Sequence, residues 1–291
     1  MLYYDFNGIS IDSEDKERYS ISQFKASFGG TQKDVVWLYS IPFIIVNIKK
    51  IDRMLINADD FGKAPTVNSA IVQCFKEGLI SRTTIMANMP YYEEAVELSK
   101  RYGFFDKVGL HLNLDEGAPL SSEMKDNKHL CKEGLFIEGI LTHSINKLWL
   151  DKADAYCVNL EIEAQMKRYL ASGFSLLHID SHRFVHNNIS VLKLLTKLCK
   201  EYGFKSMRIM EMNSNDGLLK HIYKILINNY ISRNFNTTSQ FIQNINNFDP
   251  KKGDAEYMAH PDFVDGKLVD IICWNPVKYV LFSDNINILK M

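Results

Sequence analysis

An α/β domain of parallel strands is the fold this sequence predicts, and three observations predict it. From Asp52 onward, short apolar runs of strand length alternate with longer stretches whose apolar residues recur every three or four positions. Glycines stand where several of those helical stretches stop, at Gly78, Gly173 and Gly203. Several of the short runs end in acids or histidines, as expected where parallel strands deliver side chains to one edge.

The first strand, 53–57, runs straight into Ala58-Asp59-Asp60-Phe61-Gly62. Val67, Ala70, Ile71, Cys74 and Phe75 then mark a helix that ends at Gly78. Residues 83–88 read as a strand, 92–102 as a helix with Ala95, Leu98 and Ser99 inward, and 108–114 as a third strand. That order implies parallel strands with right-handed crossovers. Residues 121–153 are less regular, and Lys125-Asp126-Asn127-Lys128 reads as a surface loop or lid. Next come a helix over 158–172, a strand over 176–180, a helix over 189–202, a strand over 206–210 and a helix over 218–232. The Asn-rich stretch 233–249 shows little periodicity, 255–260 is a strand running into His260-Pro261, and 279–291 is too short to assign.

With 291 residues, 46% hydrophobic and 24% charged, the chain reads as soluble and globular. Its formal net charge is −1 and it has no long basic run, which excludes the electrostatic footprint of a nucleic-acid or anionic-membrane binder. Five cysteines, odd in number and without C-x-x-C spacing, suit a reducing cytoplasm better than a disulfide framework or a zinc-thiolate site. The N-terminus lacks the basic flank of a secretory signal, and the apolar run 41–48 is too short to span a bilayer and reads as a strand.

Residues 1–50 differ in character and read as an appended, non-catalytic piece. Tyr4-Asp5-Phe6-Asn7-Gly8-Ile9 and Gln23-Phe24-Lys25-Ala26-Ser27-Phe28-Gly29-Gly30 resemble the C-terminal tail of FemAB-like peptidoglycan aminoacyltransferases. The body of such a transferase is absent from the sequence, so the resemblance implies no transferase activity.

The chemistry concentrates at strand ends. Asp59 and Asp60 are adjacent carboxylates, which repel unless a cation or a shared proton lies between them. An Asp pair capping the helix that starts near Pro65 is the competing explanation. His111 in Gly109-Leu110-His111-Leu112-Asn113-Leu114, His182 and His186 in the run from His178 to His186, and His260 also stand at or just after strand ends, whereas His129, His143 and His221 read as surface residues. One carboxylate and two imidazoles form a frequent ligand set for a catalytic divalent ion that activates water, with a second acid as base.

These four segments, Asn57-Ala58-Asp59-Asp60-Phe61-Gly62, Gly109-Leu110-His111-Leu112-Asn113-Leu114, His178-Ile179-Asp180-Ser181-His182-Arg183-Phe184-Val185-His186 and His260-Pro261, resemble in order and spacing the YdjC family of carbohydrate deacetylases. The match spans roughly 52–282. It implies a (β/α) barrel-like domain over 51–291, similar to the polysaccharide deacetylases, that hydrolyses N-acetyl groups from amino sugars or oligosaccharides with a divalent metal. By this resemblance Asp60, His111 and His182 bind the metal, Asp59 is the base and His260 the acid. Arg208 would orient a carboxylate or a sugar hydroxyl, and His186 would contact substrate. The family suggests Mg²⁺, whereas one Asp and two His suit Zn²⁺, Co²⁺ or Mn²⁺ by ligand type. The expected partner is a small sugar or oligosaccharide, without nucleic acid or membrane, and a homo-oligomer is compatible.

Three positions depart from the family pattern: Phe184 replaces a histidine, Met210 follows Arg208-Ile209 in place of proline, and Asp262 stands where a small residue is common. Two readings compete with the deacetylase. One is a sugar-binding or scaffold protein that has lost turnover, encouraged by Phe184. The other is hydrolysis of a different ester or amide on the same metal.

Overall fold

The computed structural model describes residues 54–142, 149–213, 216–243, 247–264 and 266–271. The expected appendage at 1–50 and the segment 279–291 lie outside them.

β1 (Met54–Phe61) is followed by α1 (Pro65–Glu77), β2 (Arg82–Ile85), α2 (Tyr92–Arg101) and β3 (Val108–Leu112). A short α3 (Ser122–Lys125) and the hairpin β4 (Cys131–Lys132) and β5 (Leu135–Phe136) precede α4 (Lys152–Ala171). Then come β6 (His178–Ser181), α5 (Ile189–Tyr202), β7 (Ser206–Met207), α6 (Leu218–Asn234), β8 (Gln240–Ile242) and β9 (Ala255–Ala259). A hairpin of β10 (Pro261–Val264) and β11 (Lys267–Asp270) closes the described chain.

Seven strands form one sheet in the order β7-β6-β3-β2-β1-β9-β8, and every pairing in it is parallel. The edges are joined by a single bridge. Asn236, just before β8, pairs parallel with Ser206 of β7: Met207 N–H donates to Asn236 O at 3.2 Å and Asn236 N–H to Lys205 O at 2.8 Å. The sheet therefore curls round until its two sides meet at one weak seam, the barrel-like form the sequence predicts.

α1 shows how local chemistry builds these units. Pro65 stands in the first turn, where its missing N–H costs nothing, and Val67, Ala70, Ile71 and Cys74 are buried at helical spacing. Gly78 stops the helix in a left-handed conformation at φ 70°, with its N–H returned to Cys74 and Phe75 carbonyls. α4 begins at Lys152 rather than near 158, because Asp151 caps it by accepting the Asp154 N–H at 2.8 Å.

The strands carry two different faces. Ile56, Ala58, Ile85, Leu110 and Ile179 belong to the apolar core shared with the helices. The alternate positions Asn57, Asp59, Arg82, Thr84, His111, Asp180 and Glu256 touch one another across five strands and so line the inside of the curl. Gly109 also faces inward, where a Cβ would lie 3.1 Å from the His178 carbonyl oxygen and 3.1 Å from Thr84 Cγ2. A backbone oxygen cannot swing aside. Gly109→Ala should therefore cost about 1–3 kcal/mol, measured as a lower denaturant midpoint; an unchanged midpoint would show that β3 and β6 separate freely.

Candidate active site

A regular strand sends neighbouring side chains to opposite faces, yet Asp59 and Asp60 both reach one site. The register between β1 and β2 shifts between Ala58 and Phe61, and Asp60 takes the left-handed region at φ 67°. This irregularity turns the second carboxylate toward the same pocket as the first. Asn68 Oδ1 accepts the Gly62 N–H at 2.7 Å, so neither acid caps α1, whose N-cap is Ala64.

Asp60, His111 and His182 converge on one point. Oδ1 of Asp60 lies 2.9 Å from His182 Nδ1 and 3.2 Å from His111 Nε2. Donors about 2.1 Å from a shared ion stand about 3.0–3.4 Å apart, so these separations fit one small cation. All three residues are buried, and His111 Nε2 makes no hydrogen bond although it is shielded from solvent. His182 opens a short 3-10 turn, His182–Asn187, in which Arg183 and Phe184 adopt φ values of 47° and 57°. Left-handed backbone at two residues without glycine is strain that the surrounding packing must hold, and such strain clusters at functional sites.

Asp59 is clamped rather than free. Arg208 Nη1 and Nη2 donate to its two oxygens at 2.6 and 2.7 Å, and Asn57 Nδ2 donates to Oδ1 at 2.6 Å. The same guanidinium reaches Asp180 at 2.6 Å and Glu256 at 2.6 Å, and lies 4.9 Å from the Phe241 ring centroid. Arg82 pairs with the other oxygen of Glu256 at 2.7 Å. Burial would push the Asp59 carboxyl up, but the charge and hydrogen bonds of Arg208, with His111 and His260, hold it below the usual carboxylate range.

The cluster draws positive charge. Asp59, Asp60, Glu116, Asp180 and Glu256 are linked through ion pairs to Lys63, Arg82 and Arg208, an excess of two negative charges. Burial disfavours a charged His111, yet Asp180, Asp59 and Asp60 push it up to about 10. His182 is raised by Asp60 and Glu116 against the same burial. Asp60 is held well below its ordinary value by those two imidazoles, again against burial. Asp60, His111 and His182 could hold a divalent ion, which would answer the same electrostatic demand.

His260 follows β9, with Nε2 3.9 Å from Asp59 Oδ2, while His111 Nε2 lies 4.0 Å from that oxygen on its own side. The His260 N–H donates to Asp270 Oδ1 at 3.2 Å, which ties the histidine to the β10–β11 hairpin.

A family model described as "YdjC-like protein" matches residues 53–278. The chain belongs to the YdjC-like family. A carbohydrate deacetylase from Thermoanaerobacter pseudethanolicus is 32% identical over 242 residues, covering 78% of this chain and 88% of the relative. Another from Clostridium beijerinckii is 30% identical over 234 residues, covering 75% and 84%. Among solved structures, a crystal structure from Enterococcus faecalis V583, provisionally assigned to cellobiose-phosphate cleavage, superposes with a TM-score of 0.57 at 22% identity. It covers 82% of this chain and 90% of that one, and supports the fold alone.

Two residues expected to face substrate sit elsewhere in this YdjC-like chain. Arg208 does orient a carboxylate, but it is Asp59's: the side chain is wholly buried and its donors are taken by Asp59, Asp180 and Glu256. His186 is also fully buried, its Nδ1 hydrogen-bonded to Ser181 Oγ, and burial with the nearby Arg208 charge lowers it to about 3. Neither reaches solvent as a sugar contact would require.

Asp180, inside the third motif but given no role by it, and Glu116, outside every motif, complete the site. Asp180 accepts from His111 Nδ1 at 2.7 Å and from Thr84 Oγ1 at 3.0 Å. Glu116, on the loop after β3, lies 3.0 Å from His182 Nε2 and 2.9 Å from Lys63 Nζ, and those contacts lower it to about 2. Phe184, the departure from the family histidine, packs edge-on against Phe241 with centroids 5.8 Å apart, and so backs the ring that covers Arg208.

Proposed function

We propose that this YdjC-like protein is a metal-dependent carbohydrate deacetylase, hydrolysing the acetamide of N-acetylated amino sugars or oligosaccharides. One observation carries the reading: a buried Asp60-His111-His182 set stands beside a second, clamped carboxylate, Asp59. The relatives named carbohydrate deacetylase support the substrate class. Asp60, His111 and His182 would hold the ion, Mg²⁺ by family and Zn²⁺, Co²⁺ or Mn²⁺ by ligand type, which when bound would supply Lewis-acid activation of water and of the acetamide carbonyl.

Asp59 takes the proton of the attacking water. Arg208 keeps it ionised and its oxygens aimed, so a neutral carboxylic acid never replaces the base at working pH. Water adds to the acetyl carbon, the C–N bond breaks, and His260 Nε2 gives its proton to the departing amine; acetate and a free amino sugar leave. His260 Nε2 lies 3.9 Å from Asp59 Oδ2, a gap across which a proton returns through one water to reset the site.

Among the described residues, no helix is long and apolar enough to cross a membrane. The cysteine pattern supports a cytoplasmic location. Residues 1–50 take no part in the chemistry, so a chain starting at Lys50 should bind metal and turn over like the full protein. Loss of both in soluble truncated protein would show that the segment completes the site.

The direct test is incubation with N-acetylated chitooligosaccharides and each of the four ions. Acetate and free amine should appear in equal amounts. Binding of the sugar without acetate under every ion would leave a binder that has lost its chemistry.

A further inference from the structure

The two ligand imidazoles are turned opposite ways. His111 presents Nε2 to Asp60, while its Nδ1 is hydrogen-bonded to Asp180 Oδ1 at 2.7 Å. His182 presents Nδ1 to Asp60 Oδ1, and its Nε2 lies 3.0 Å from Glu116 Oε2. Each ring therefore has a carboxylate beside the nitrogen that faces away from the site, hydrogen-bonded on His111 and in ion-pair contact, without hydrogen-bond alignment, on His182.

Glu116 is held in place from several directions. Asn113 Oδ1 accepts the N–H groups of Asp115 and Glu116, both at 3.0 Å. Asn113 Nδ2 and Asn88 Nδ2 donate to the Glu116 carbonyl at 2.7 and 3.1 Å. Lys63 Nζ, 2.9 Å from Glu116 Oε2 and 3.4 Å from Asp60 Oδ2, ties this carboxylate to the ligand carboxylate.

We propose that Glu116 is a positioning residue for the metal site: it keeps the proton of His182 on Nε2, so that His182 ligates through Nδ1, while Asp180 sets the opposite tautomer on His111, which ligates through Nε2. The inference rests on the reading of Asp60, His111 and His182 as ligands. Carboxylates of this kind fix ring orientation and raise ligand basicity, and their loss typically costs about 10–100-fold in metal affinity. Lys63 balances Glu116's charge and leaves it ionised beside the His182 imidazole.

The test uses the full chain loaded with Zn²⁺, alongside Glu116→Gln and Glu116→Ala. Long-range ¹H–¹⁵N correlation of the zinc-loaded wild type should show His182 metallated at Nδ1 and protonated at Nε2, with His111 the reverse. By competition titration, Glu116→Ala should bind Zn²⁺ about 10–100-fold more weakly. Glu116→Gln, which keeps an acceptor oxygen, should recover part of that loss and serves alone if the alanine variant does not fold. Metallation of His182 at Nε2, or wild-type Zn²⁺ affinity in both variants, overturns the role of Glu116 and leaves the deacetylase reading intact. A wild type that takes up no Zn²⁺ and releases no acetate fails both together.

Discussion

Asp59→Asn should lose about 10²–10⁴ of turnover and keep its metal. The amide matches the carboxylate in shape, and Asp60, His111 and His182 are untouched by the change, so the ion's three donors remain. What disappears is the oxygen lone pair able to take a proton from water, on a group now 3.9 Å from His260. The check is kcat from acetate release, with metal content measured on the same sample. Near wild-type turnover at full metal content would move the base to another group.

Arg208→Met should produce the largest loss of stability. The guanidinium is the shared partner of three buried acids, Asp59, Asp180 and Glu256, each within 2.6 Å of one of its nitrogens. Methionine fills part of the volume over Phe241 but removes the one cation that all three carboxylates share, leaving Glu256 to Arg82, Asp180 to His111 and Thr84, and Asp59 to the Asn57 amide. Breaking a buried charge network by removing one partner costs about 3–5 kcal/mol, measured by urea unfolding. Lysine will not rescue it, since one ammonium cannot fork to both Asp59 oxygens and still reach Glu256.

The pH dependence of that loss has a definite sign. Asp59 is depressed in the folded protein, so its contribution is present above the unfolded carboxylate value of about 4 and is lost as pH falls through the folded value. The gap between Arg208→Met and wild type should therefore narrow in acid. A gap that stays constant from neutral pH to pH 3 would mean that Arg208 stabilises by packing alone.

The parts of the site that could be read from sequence are those that end apolar runs. Asp59, Asp60, His111 and His260 end or interrupt Leu, Ile, Met or Ala segments, and His182 follows the strand end at Asp180-Ser181; a polar group at such a boundary has to be either solvated or used. Arg82 and Glu256 gave no such signal. They lie within strands of four and five residues, too short to display an alternation, and only the curl of the sheet brings them onto Arg208. Arg208 itself lies just beyond a two-residue β7, and its partners come from β1, β6 and β9, so its burial depends on strand order that local pattern does not encode.

Among the elements that the sequence does not predict, β8 and the β10–β11 hairpin are hidden for different reasons. β8 is three residues long in an Asn-rich stretch, held by its parallel pairing to β9 rather than by any periodicity of its own. The β10–β11 hairpin did carry a signal: Asp265-Gly266 separates Val264 from Lys267, which pair, and Gly266 takes φ 74°. Glu116 is placed by the turn that Asn113 builds, and a side chain organised by loop hydrogen bonds has no sequence periodicity to reveal it.

Anomalous diffraction from crystals of the full chain loaded with Zn²⁺ tests the centre of this account most directly. One peak should lie about 2.0–2.3 Å from an Asp60 oxygen, His111 Nε2 and His182 Nδ1. A fully loaded crystal whose only peak lies at another acid–imidazole group, such as His129 with Asp151 and Asp154, would contradict it.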